Sequence, residues 1–155
     1  MKLNDELEMS CPDGFHIMDE NERKGLRMAR GGECVLFSDP ERHMIVSVGW
    51  RKPGLFAGFL PDTGGIAVKA EKSMIGSMKR FGCTKESDSE KQLDGETAKG
   101  FRYRYTAQDI EMCGETYALK RQKTVYYFHL YTRAALKDEN QAVWSEMLNS
   151  VHWLQ

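Results

Sequence analysis

Residues 84–133 contain four β-type segments, 84–93, 97–106, 110–121 and 124–133, separated by two or three residues each. Connections this short join antiparallel neighbours, because a parallel pair needs a crossover of a dozen residues or more. The stretch therefore reads as a four-strand meander. Asp94-Gly95 is its strongest hairpin signal, since both residues tolerate the positive φ of a tight turn. Segment 97–106 alternates Phe101, Tyr103 and Tyr105 on one side with Arg102 and Arg104 on the other.

The rest of the chain has to supply layers that cover this sheet. Residues 3–9 alternate weakly and read as a short first strand, followed by a turn at 10–14. Asp19 and Glu22 form a capping box that opens a helix to about Arg30, stopped by Gly31-Gly32. Segments 33–38 and 43–52 flank Asp39-Pro40-Glu41-Arg42 as a hairpin. Asp62 or Thr63 caps a second helix whose Ile66, Ala70, Met74, Met78 and Phe81 fall at steps of three and four, and Gly82 ends it. A last helix starts at Asp138, with Gln141 as its capping partner, and buries Val143, Trp144, Met147, Leu148 and Val151. No repeat, low-complexity tract or linker divides the chain. The reading is one α+β domain over 1–155, an antiparallel sheet of six to seven strands with helices packed on its faces.

Two stretches carry a resemblance. Pro12-Asp13-Gly14-Phe15 looks like a Pro-x-x-Phe opening. Tyr126-Tyr127-Phe128-His129-Leu130, with Met147-Leu148-Asn149-Ser150-Val151-His152-Trp153, looks like a closing strand and helix. With the element order, these resemble the Mog1/PsbP-like superfamily. The resemblance implies an antiparallel sheet between helices and a role in binding other proteins or assembling complexes, with no defining catalytic residues.

Composition narrows the function classes. The 155 residues carry 22 basic and 23 acidic side chains, a net charge of -1, without the cationic excess of a phosphate-backbone binder. No apolar run approaches the roughly 20 residues of a membrane span. The expected setting is the cytoplasm, because the first eight residues are acidic and unlike a secretory leader. Cys11, Cys34, Cys83 and Cys113 lie in no C-x-x-C pair and are expected as reduced, unlinked thiols. The expected partner is another protein or further copies of the chain, with no nucleic acid and no membrane.

The motifs point to no catalytic residue, metal or cofactor. Gly31-Gly32 and Gly64-Gly65 lack phosphate-loop spacing, and His16, His43, His129 and His152 have no ligand spacing among them. One constellation carries weight. With turns at Ala107-Gln108 and Arg121-Gln122-Lys123, Arg104 falls opposite Glu111, Glu115 opposite His129, and Tyr117 opposite Tyr127. One sheet face then holds Arg102, Arg104, Glu111, Cys113, Glu115, Tyr117, Tyr127, His129, Tyr131 and Arg133. Such a face is either solvated or helix-covered with cross-strand ion pairs, or a polar-aromatic contact surface. A pocket around Glu115 and His129 would make the chain a small-molecule binder or an enzyme. The apolar stretch holding Phe56 and Phe59 either plugs the core or meets a partner.

Overall fold

The computed structural model describes residues 1–24, 33–53 and 61–155. In chain order the strands are β1 (Leu7–Glu8), β2 (His16–Ile17), β3 (Glu33–Asp39), β4 (Met44–Arg51), β5 (Thr84–Leu93), β6 (Glu96–Ala107), β7 (Ile110–Arg121), β8 (Thr124–Arg133) and β9 (His152–Trp153). The α-helices are α1 (Glu20–Arg23), α2 (Thr63–Ser77) and α3 (Lys137–Asn149). Seven strands form one antiparallel sheet in the order β2-β3-β4-β8-β7-β6-β5, and β1 pairs with β9 beside it.

The meander forms because its turns are as tight as the segment spacing requires. Asp94 and Gly95 take φ 46 and 85, and Gln108 and Asp109 take φ 50 and 64, the left-handed pair that matches strand twist in a two-residue hairpin. Gln122 takes φ 55 in the turn between β7 and β8.

Both sheet faces are covered. On one, β3, β4, β7 and β8 present Phe37, Val46, Val48, Leu119, Tyr126, Phe128 and Leu130 to Trp144, Met147 and Leu148 of α3. Leu7, Met9 and Trp153 join this core, so the β1–β9 pair straps the chain ends over it. On the other face α2 packs on β6 and β7. There Phe101, Tyr103 and Tyr105 meet Met74, Ile75 and Met78, and Ile66 meets Ala118 and Val125.

Several expectations change in detail. The first strand is only Leu7–Glu8, because its partner at the C-terminus is itself two residues long. β2 and β9 are short strands that carry no periodicity of their own. The capping box at Asp19 and Glu22 forms, and the described helix is Glu20–Arg23, with residues 25–32 outside the described part. Asp62 caps α2 by accepting from the Gly65 amide. Asp138 does not cap α3. A 3-10 turn at Ala134–Leu136 feeds directly into the helix, and Gln141 is drawn to the sheet instead.

Two glycines make opposite demands. A Cβ at Gly100 would collide with the Thr116 carbonyl on the neighbouring strand, whereas a Cβ at Gly76 in α2 would meet nothing within 4 Å. Denaturant unfolding should therefore show Gly100→Ala less stable by roughly 1–3 kcal/mol and Gly76→Ala more stable by about 0.5–1 kcal/mol. A loss at Gly76→Ala would show that the α2 backbone is set differently.

Candidate functional site

The register of the meander decides which polar residues meet. β6 and β7 pair with Arg102 opposite Glu115 and Arg104 opposite Cys113. This is two residues from the register expected, and two residues preserve the face, so Arg102, Arg104, Glu111, Glu115 and Tyr117 do lie together. Arg104 still reaches Glu111 diagonally at 2.6 Å and Glu86 at 3.3 Å.

β7 and β8 differ by one residue from expectation, and that breaks the constellation. Arg121 pairs with Thr124, so Glu115 lies opposite Leu130, Tyr117 opposite Phe128, and Thr116 opposite His129. A one-residue shift sends every β8 side chain to the other face. Tyr127, His129, Tyr131 and Arg133 therefore lie on the α2 side, while Glu115, Tyr117 and Cys113 lie on the α3 side. No pocket contains both Glu115 and His129, and Cys113 does not share a face with His129. The apolar rows part in the same way: Phe101, Tyr103 and Tyr105 are buried under α2, and Tyr126, Phe128 and Leu130 under α3. Phe56 and Phe59 lie outside the described residues.

On the α3 side Glu115 is the hub, only 2% exposed. Its Oε1 accepts from Arg102 Nε at 2.8 Å, the Tyr117 hydroxyl at 2.8 Å and the Ser89 hydroxyl at 3.1 Å. Its Oε2 accepts from the Trp144 indole N–H at 2.6 Å and the Gln141 amide at 3.2 Å. Burial pushes this carboxyl upward, but hydrogen bonds from Tyr117, Arg102 and Gln141, with the Arg102 charge, outweigh it and hold the pKa below the ordinary glutamate value. These contacts fill the roughly four lone-pair sites of a carboxylate, with the Ser89 and Tyr117 hydroxyls, 2.6 Å apart, bonded to each other as well, so the group is suited to holding elements together. The crevice beside it, lined by Glu86, Cys113, Thr132 and Lys137 among others, has room for roughly one water.

Sequence reasoning missed Ser89, Trp144 and Gln141 as members of this network. Trp144 could have been suspected, because a buried indole N–H needs an acceptor.

On the α2 side Tyr127, His129 and Tyr131 form a ladder, with ring centroids 6.3 and 6.0 Å apart and planes within 8° and 21°. All three are half-buried. His129 Nδ1 pairs with the Thr116 hydroxyl at 2.9 Å. The packing around its ring pushes its pKa from 6.5 down to about 4, so the imidazole is neutral at pH 7. Tyr103 reaches under this ladder. Its ring fills the space that a Gly114 side chain would take, and its buried hydroxyl closes no hydrogen bond of normal geometry.

Among the described residues, no three of His, Cys, Asp and Glu gather as a metal site. All four cysteines are unlinked, and burial raises each thiol above its ordinary pKa.

The sequence matches no family model and no curated protein. Solved structures do match. Cyanobacterial PsbP (CyanoP) from Synechocystis sp. PCC 6803 superposes with a TM-score of 0.66 at 17% identity, covering 97% of this chain and 94% of that one. The fold is Mog1/PsbP-like. LpqN of Mycobacterium tuberculosis, a protein involved in cell envelope biogenesis, aligns at a TM-score of 0.57 with 13% identity over 96% of this chain and 83% of its own. A protein of unknown function from Pseudomonas aeruginosa aligns at 0.55 with 12% identity, over 88% and 94%. The Mog1/PsbP-like fold is thus kept where little sequence is shared.

The two faces should separate in pH-dependent unfolding. A group whose folded pKa lies below its unfolded value stabilises the fold above the unfolded value and loses that contribution as pH falls through the folded one. His129 should therefore cost stability between pH 6.5 and about 4, of order 1–3 kcal/mol, and His129→Gln should flatten that window. Glu115 should act below its ordinary value of 4.5, and Glu115→Gln should flatten the slope there while costing roughly 1–3 kcal/mol at neutral pH. A slope unchanged in either window would contradict the assigned burial. Thiol titration without reductant should count four thiols per unfolded chain and slow reaction in the native state, whereas two or none would mean disulfides.

Proposed function

We propose that this chain is a non-enzymatic protein-binding or complex-assembly module whose contact surface is the side of β8 that carries Tyr127, His129, Tyr131 and Arg133. The observation that carries the reading is the ladder. Three near-parallel rings stand partly exposed, though mostly buried, at the border of the layer that α2 covers. With His129 uncharged at pH 7, the ladder is a neutral aromatic strip with a cation at one end. Tyrosine and arginine are the residue types that dominate binding hot spots. A strip of this kind fits an extended protein segment, whose side chains lie along the rings. The protein partner is preferred to nucleic acid because acidic and basic residues balance. A reducing, cytoplasmic setting belongs to the same proposal, and the thiol titration tests it.

The test is cross-linked capture of partners from the native organism. The wild type is compared with Tyr127→Ala/Tyr131→Ala and with Arg133→Glu, which removes no core ring. Both variants are first checked for native circular dichroism and unfolding midpoint. A partner retained by the wild type and weakened at least about tenfold in folded variants is the expected outcome. Partner sets that are identical across the three proteins would sink the proposal.

A further inference from the structure

The backs of the two long helices, on opposite sides of the sheet, carry opposite charge. On α2 and the turn after it the exposed side chains include Lys69, Lys72, Lys79 and Arg80, and on α3 they include Asp138, Glu139 and Glu146. None of these seven forms an ion pair among the described residues, although the protein pairs Arg42, Lys52, Lys85, Arg102, Arg104, Arg121 and Lys137 with its own carboxylates. We infer that these two backs are complementary and that the chain associates head-to-tail with further copies of itself, α2 of one copy lying against α3 of the next.

Placement supports the match. Lys69 and Lys72 lie within α2, with Lys79 and Arg80 in the 3-10 turn after it, while Glu139 and Glu146 are seven residues, about two helical turns, apart on α3. Between the charges lie small exposed or half-exposed residues on both helices, Ser73 and Gly76 on α2, and Ala142 and Ser145 on α3. Small residues at such positions let two helices approach closely. Gly76 is informative because nothing inside the fold requires it. Its missing Cβ would point into open space, and an interior helix glycine is the costlier choice for the helix itself. An antiparallel crossing sets Asp138 and Glu139 against Lys79 and Arg80, and Glu146 against Lys69 and Lys72.

Each helix's own dipole favours cations at the α2 C-terminus and acids at the α3 N-terminus. That accounts for Lys79, Arg80, Asp138 and Glu139. It does not account for Lys69 and Lys72, which lie before the last turn of α2, for Glu146 near the unfavourable end of α3, or for Gly76. Complementarity between copies accounts for all of them.

Because α2 and α3 lie on opposite faces of the sheet, the contact joins unlike surfaces and propagates from copy to copy. One helix laid on another falls short of a standard interface, so the association is weak, concentration-dependent and sensitive to salt. The aromatic strip of β8 takes no part, and the inference stands apart from the function proposed for it.

Sedimentation velocity on the full chain tests it, at about 0.02 M and about 0.5 M salt. The wild type should sediment faster as its concentration rises at low salt, and as a monomer at high salt. Lys72→Glu/Lys79→Glu and Glu139→Lys/Glu146→Lys should each stay monomeric alone, since the first cancels the net charge of the α2 back and the second reverses that of the α3 back. Mixing the two variants should restore association, because the native backs of one meet the native backs of the other. Gly76→Gln should weaken association with the charges intact, and Arg133→Glu should leave it unchanged. A wild type that is monomeric at every concentration in low salt would overturn the inference. So would a loss confined to one of the two charge variants, or a mixture that stays monomeric.

Discussion

Arg121 pairs with Thr124 across a turn of two residues, and this pairing sets the side of the sheet for every residue of β8. With strand side chains alternating, the turn puts Tyr126, Phe128 and Leu130 under α3 and turns Tyr127, His129 and Tyr131 toward the α2 side. β8 is central, and its register passes on to β4, where Val46 lies opposite Leu130 and Val48 opposite Phe128. From β4 it passes to β3, where Phe37 lies opposite Val46. One residue more or fewer in the turn would expose the Phe128 row and bury the His129 row. Burial of Phe128 at 0% exposure holds the register against that slip.

Polar pins then fix the helix layer on that sheet. Glu115 reaches from β7 to Trp144 and Gln141 of α3, and Asn140 donates to the Thr132 hydroxyl on β8 and to the Arg42 carbonyl. A buried carboxylate costs several kcal/mol in desolvation, which its hydrogen bonds and a charged partner must offset. Hydrophobic packing of Trp144, Met147 and Leu148 supplies attraction without direction. The directional bonds select one rotation and height for α3. At the chain ends the same division of labour recurs. Leu7 and Trp153 are buried, while the Tyr126 hydroxyl donates to Glu6 and the Trp153 indole donates to the Leu93 carbonyl.

Among the described residues, a sheet covered on both faces leaves for outside contacts the border of a covered face, the backs of the covering helices and its two edges, β2 and β5. The β8 ladder is the first and the charged backs of α2 and α3 are the second. The edge strand β5 is guarded. It carries Lys85, Glu86, Asp88, Glu90 and Lys91, and its register shifts between Lys85 and Ser87, which are devices that discourage strand addition. The shared fold with PsbP and LpqN says how these surfaces are held in place. What they meet depends on the side chains, which differ at 17% and 13% identity.

Local sequence alone determined the antiparallel meander, the Asp94-Gly95 turn, the apolar stripe of α2 and the capping by Asp19, and it narrowed the α2 cap to Asp62 or Thr63. Each of these rests on contacts between residues close in the chain, where spacing and residue type leave few options. It also determined that Arg102, Glu115 and Tyr117 share a face, because parity within β6 and β7 survives a shift of two residues. Tertiary structure decided the rest. Whether the β7–β8 turn holds two residues or three is a balance between similar local geometries, and it was settled by burying Phe128 and Leu130 under α3. Gln141 reads locally as a capping partner, yet its amide N–H turns to donate to Glu115, because a buried carboxylate must draw its donors from the protein, whereas the N–H groups of an open helix end can bond water. Strands as short as β2 and β9 exist only because distant partners, β3 and β1, lie alongside them. Two residues show no period, and only the folded chain brings their partners near.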